Sequence, residues 1–68
     1  MRVVLNGEPR ELPDGARVDA AVTATGAAPS GRGVAVAVDG EVLPRGRWDA
    51  TELRDGQRVE VVRAVQGG

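Results

Sequence analysis

The stretch RVEVVRAVQGG, residues 58–68, decides how this chain is read. Arg58 to Val65 has the period of a strand: Val59 and Val61 share one face, and Val62 falls on the other beside Glu60 and Ala64. Gln66-Gly67-Gly68 then adds no apolar side chain, so the strand hands over to a short glycine tail. The expected division is a folded body over residues 1–65 and a flexible tail over 66–68.

Upstream of this strand, Asp55-Gly56 signals a turn. Asp49 with Glu52 three residues on has the spacing of a capping box and predicts one helical turn carrying Leu53. Val34 to Val38 alternates large and small, meets Asp39-Gly40, and returns through Glu41 to Leu43 before Pro44 ends the pattern. That is a hairpin on a two-residue turn, and Arg2–Leu5, Asn6-Gly7 and Glu8–Leu12 make a second by the same rule. Val3 and Leu5 share a face that Leu12 can join, and Pro9 marks an edge strand. Pro13-Asp14-Gly15 breaks the ladder.

Between the hairpins, Val18, Ala21 and Val22 recur at helical spacing, Asp19 sits where the helix dipole favours a negative charge, and Gly26 can close the end. Valine and threonine are weak helix formers and the segment is short, so packing must hold this helix in place. Ala27 to Gly33 has turn composition without periodicity and reads as a mobile loop. The order hairpin, helix, hairpin, helical turn, strand is that of an α+β β-grasp (ubiquitin-like) fold. It predicts a mixed sheet of about five strands covered on one face by one helix, with first and last strands parallel at its centre.

Sixty-eight residues allow one domain with a small core. Cysteine and histidine are absent, which removes the disulfide and the commonest zinc ligands. The core must therefore hold by packing, largely of valine and alanine, with Trp48 as the one aromatic. The formal net charge is −1 and the nine arginines are scattered, a pattern that argues against nucleic acid as a partner. No apolar run approaches the ~20 residues of a membrane span, and the strand pattern begins without a basic and apolar leader. A cytoplasmic protein without a membrane partner is the expectation.

Leu43-Pro44-Arg45 followed by Trp48, then Leu53-Arg54-Asp55-Gly56 and Val65-Gln66-Gly67-Gly68, resembles the ThiS family of thiamine-biosynthesis sulfur carriers. The likeness runs end to end. Pro-Arg-x-x-Trp is its most discriminating element, since the related small subunit of molybdopterin synthase shares the fold and the Gly-Gly end but typically lacks it. Two turn positions depart from the family's pattern: Asp39 stands where Asn is frequent, and Gln57 where Asp is frequent.

The chemistry expected of the tail follows from its terminal group. A Gly68 carboxylate is an anion at neutral pH and can attack the α-phosphate of ATP. The chain itself has no phosphate-binding loop ending in Lys-Ser or Lys-Thr and no carboxylate cluster beside a basic group, so no cofactor is expected on it. ATP and magnesium would belong to an adenylating partner. By resemblance that partner is an E1-like enzyme of the ThiF kind, a sulfur donor protein converts the acyl-adenylate to a thiocarboxylate, and thiazole synthase receives the sulfur. The chain is then a protein cosubstrate, not an enzyme. Glycine at 67 and 68 suits a narrow channel, because a Cβ would obstruct both the close backbone approach and the sulfur nucleophile.

Gly68 and Gly67 are thus the candidate reacting positions, with Val62, Gln66 and Arg45 as candidate partner contacts. Val62 would leave an apolar spot on the open face near the tail. Arg45 and Arg47 could steer an acidic partner, although exposed arginines are commonly just solvated, and Trp48 reads as a core residue. Three alternatives share the fold: a carrier serving molybdopterin, tRNA thiolation or cysteine, a plain β-grasp binding module, and a modifier conjugated to other proteins.

Overall fold

The computed structural model describes residues 1–27 and 31–63. The elements run β1 (Arg2–Leu5), β2 (Glu8–Glu11), α1 (Val18–Ala24), β3 (Val34–Val38), β4 (Glu41–Leu43), a 3-10 helix (Arg45–Ala50) and β5 (Arg58–Arg63). They build one five-stranded sheet in the order β2-β1-β5-β3-β4. β5 lies at the centre, parallel to β1 with Val4 opposite Arg58, and antiparallel to β3 with Val36 opposite Val61. This is the β-grasp arrangement.

Both hairpins turn as their residue types require. Asn6 and Gly7 have φ of 51° and 82°, and Asp39 and Gly40 have 51° and 84°. Two successive positive values are what a tight hairpin turn needs, and Asn, Asp and Gly tolerate them best. Pro9 lies in the edge strand β2, where its missing N–H leaves no central ladder bond unmade.

The core lies between the sheet and α1. Val3, Leu5, Val36, Val59 and Val61 face inward from the strands, and Val18, Ala21 and Val22 meet them from the helix. Among the described residues no polar or charged residue is buried. The helix has seven residues and no side-chain N-cap, so its place depends on this packing. At its other end Arg10 Nη2 donates to Ala24 O (3.0 Å) and Arg63 Nη2 to Thr25 O (2.7 Å). These guanidiniums satisfy carbonyls that the last helical turn leaves open, at the negative end of the helix dipole.

The predicted capping box at Asp49 and Glu52 does not form. The helical turn lies earlier, over Arg45–Ala50, entered from Pro44 at φ −59° without a side-chain cap. Thr51 to Leu53 instead run extended against the start of α1: Val18 N–H donates to Thr51 O (3.0 Å), Leu53 N–H donates to Ala16 O (2.9 Å), and Glu52 bridges Arg17. This tertiary backbone pairing holds Thr51 to Leu53 extended, so no helical turn can start at Asp49, and Trp48 is buried from the turn that precedes it. Leu53 is still buried, from an extended segment.

Trp48 is a core residue. Its Nε1 donates to Leu43 O (3.0 Å), and its ring lies against Gly31, where a Cβ would fall within contact distance of Cζ3 and 3.0 Å from Cη2. Gly31 also has φ of 67°, so backbone and space both require glycine there. The mobile-loop expectation for 27–33 falls partly on 28–30, outside the described residues. The two turn positions that depart from the family pattern meet each other: Gln57 Nε2 donates to Asp39 Oδ2 (3.1 Å) and Arg58 N–H to Asp39 Oδ1 (3.0 Å). The bond from Arg58 N–H, then that from Gln57, holds the Asp39 carboxyl below its ordinary range. Asp39 thus ties the β3–β4 turn to the start of β5.

Candidate functional site

Parallel pairing with β1 forces β5 to leave the sheet at the end away from Asp39, and its last described residue is Arg63, five positions before Gly68. Gln66, Gly67 and Gly68 lie outside the described residues, as do Ala64 and Val65 of the expected strand. The candidate surface is therefore the one around the Arg63 end of β5.

Alternation along β5 places Val61 in the core at 7% exposure and Val62 on the open face at 63%. Register then decides the neighbours of Val62. Ala35 is opposite Val62, Glu60 opposite Ala37, and Ala37 opposite Val42. Ala35, Ala37, Val42 and Val62 consequently form one apolar strip across β5, β3 and β4, on the side of the sheet opposite the core. Val62 and Val42, the latter 73% exposed, are the exposed large hydrophobic residues among those described. A strip of this kind is small, yet it is concentrated beside the departing strand.

Arg45, at the start of the 3-10 helix, is exposed and lines the same open hollow as Val62, together with Arg32, Ala35 and Arg63. Two of the sequence candidates, Val62 and Arg45, are thus neighbours. Arginines border the strip near the Arg63 end of β5 and Glu60 borders it earlier in the strand, which makes the surface electrically uneven along its length. Arg47 is exposed and lies outside this hollow. Among the described residues no group of three His, Cys, Asp or Glu side chains converges in a way that could hold a metal ion. No helix among them is long and apolar enough to cross a membrane.

Val42 was not singled out by sequence reasoning. In a three-residue strand its alternation with Leu43 is too short to assign a face, and only pairing with Ala37 sets it in the strip with Val62. The alternation of Val and Ala in β3 carried a partial signal, because valines inward leave Ala35 and Ala37 outward.

The ThiS family model matches residues 3–68, which includes the Gly-Gly end. Two solved structures of the thiamine biosynthesis protein ThiS from Geobacter metallireducens are similar to this chain at 33% identity. The crystal structure superposes with a TM-score of 0.79 and full coverage of both chains. The solution structure gives a TM-score of 0.80, with 100% of this chain and 88% of that one covered. No curated protein matches the chain.

Proposed function

The chain belongs to the ThiS family, and from that premise we propose that it is a sulfur carrier of thiamine biosynthesis whose reacting group is the carboxylate of Gly68. The observation that carries the reading is the match from residue 3 through Gly68, joined to a central strand that runs toward that end. Residues 1–65 act as the body, and 66–68 as the part that enters a partner.

The chemistry needs an activated acyl group. A Gly68 carboxylate oxygen attacks the α-phosphorus of ATP held with magnesium by an E1-like enzyme of the ThiF kind. Pyrophosphate leaves, and an acyl-adenylate remains. A sulfur donor protein then delivers sulfur at the sulfide level, which attacks the acyl carbon and displaces AMP to leave a thiocarboxylate. Thiazole synthase passes that sulfur to its substrate, and an oxygen from that substrate or from water takes its place on the acyl carbon, so that the carboxylate returns. The chain is consumed and regenerated in this cycle as a cosubstrate, while binding of ATP and the proton transfers belong to its partners.

Val62 with Ala35, Ala37 and Val42 offers those partners an apolar contact beside the tail, and Arg45 offers a charge at its rim. Gln66 links this surface to the reacting glycines. Intact mass after incubation with MgATP, purified adenylating enzyme and a sulfur source tests the proposal. A gain corresponding to one oxygen replaced by sulfur on the C-terminal peptide supports it. An unchanged mass, or an isopeptide adduct on another protein, refutes it.

A further inference from the structure

Asn6 does more than open its turn. β1 and β5 exchange rungs through Val4 N–H to Gln57 O and Asn6 N–H to Val59 O, both 2.9 Å. In a parallel ladder the next rung would be Val61 N–H to the Asn6 carbonyl. At Asn6, however, the backbone has already turned into the left-handed region, at φ 51°, to begin the hairpin. The side chain takes the place of that carbonyl: Asn6 Oδ1 accepts from Val61 N–H at 2.7 Å, in a partly buried setting. A carboxamide oxygen thereby extends the edge of β1 by one rung beyond the end of the strand.

That rung falls on the last described stretch of β5. From Val61 to Arg63, β5 is held on one side by β3, with Val36 opposite Val61 and Val34 opposite Arg63. On its other side β1 has ended, and the Asn6 side chain supplies the tie. Drawn out into a partner's channel, the seven residues that follow Val61, through Gly68, reach up to about 23 Å from it. A swing of about 10° at Val61 would then move the terminal carboxylate by about 4 Å, more than the ~1 Å misplacement that can cost a hundredfold in rate.

We propose that Asn6 is a positioning residue for the reacting C-terminus, fixing through the Val61 N–H the direction in which β5 delivers Gly68. This rests on the sulfur-carrier reading. Two substitutions separate the hydrogen bond from the turn: Asn6→Gly keeps the positive φ and deletes the acceptor, and Asn6→Asp tolerates the same φ and keeps an acceptor oxygen.

The experiment is ATP–pyrophosphate exchange with purified adenylating enzyme and MgATP, run on full-length carrier beside amide exchange of Val61 by NMR. Asn6→Gly should quicken exchange at Val61 and lower kcat by about tenfold, with KM within about twofold of wild type. Asn6→Asp should retain the kcat and the protection. Simple destabilisation gives another signature, because unfolded carrier only dilutes the folded form and so raises apparent KM at constant kcat. A wild-type kcat in Asn6→Gly, or unchanged protection at Val61, overturns the assignment. Wild-type carrier that supports no pyrophosphate exchange overturns the carrier reading, and the positioning role with it.

Discussion

Replacing Val61 and Val62 in turn by aspartate separates folding from docking, because the two are adjacent in sequence and on opposite faces of β5. Val61 is 7% exposed, and Val62 is 63% exposed. Val61→Asp forfeits about 1.5–3 kcal/mol of side-chain burial. It also places a carboxylate among Val36 and its neighbours, at a further cost of about 2–3 kcal/mol even after the group takes up a proton. The sum, about 4–6 kcal/mol, equals the ~5 kcal/mol total stability typical of so small a domain. Val61→Asp should therefore be largely unfolded at 25 °C by circular dichroism. Val62→Asp should melt close to wild type, since exposed substitutions usually stay within about 0.5 kcal/mol. If the strip of Val62, Ala35, Ala37 and Val42 is the docking surface, a charge in it should cost about 1–2 kcal/mol of binding, or roughly five- to thirtyfold in Kd. Calorimetric titration against the adenylating enzyme and thiazole synthase reads this directly. A Val62→Asp variant that melts like Val61→Asp refutes the strand register, and one that binds both enzymes with wild-type affinity refutes the docking surface.

Gly31→Ala should destabilise the domain by about 3 kcal/mol: a side chain at positive φ costs about 1–2 kcal/mol and crowding of a packed ring about 1–3 kcal/mol. Fluorescence of Trp48 follows the melt, and an unchanged midpoint would show that the ring does not need that space. Gly68→Ala should leave the fold and the carboxylate intact and slow adenylation by on the order of a hundredfold; unaltered pyrophosphate exchange contradicts a channel fitted to glycine. Asp39 supplies a pH test. Its folded-state pKa lies below the ordinary 3.8, from the Arg58 N–H bond first and Gln57 second, so its contribution is present above that value and lost as pH falls through the folded-state pKa. Urea midpoints taken from about pH 6 down to about pH 2 should fall more steeply for wild type than for Asp39→Asn, whereas parallel curves would mean that the tie between the β3–β4 turn and β5 does not titrate.

Much of this architecture was legible because it depends on local chemistry. Asn6-Gly7 and Asp39-Gly40 declare hairpins through their tolerance of positive φ. Val59, Val61 and Val62 declare their faces by alternation, and Val18, Ala21 and Val22 a helix stripe by their spacing. Where local signals misled, tertiary pairing had overruled them. Asp49 and Glu52 have the spacing of a cap, but the Thr51–Leu53 backbone is engaged by Ala16 and Val18, and the turn moved to where Trp48 could be buried. Asp39 and Gln57 read as two independent turn residues 18 positions apart, and their hydrogen bond exists only because β3 and β5 are neighbours.

The sequence by itself determined the two hairpins, the helix and the last strand, the inward set of valines and the edge position of β2, since each is carried by neighbours along the chain or by single-residue conformational limits. The tertiary structure alone decided which outward residues come together. Val42 joins Val62 through β3, Arg45 reaches the same hollow from a different segment, and the side chain of Asn6 completes a ladder with Val61 across a separation of 55 residues. Those relations depend on strand order and register, which are settled by the collective burial of the core rather than by any one stretch of sequence.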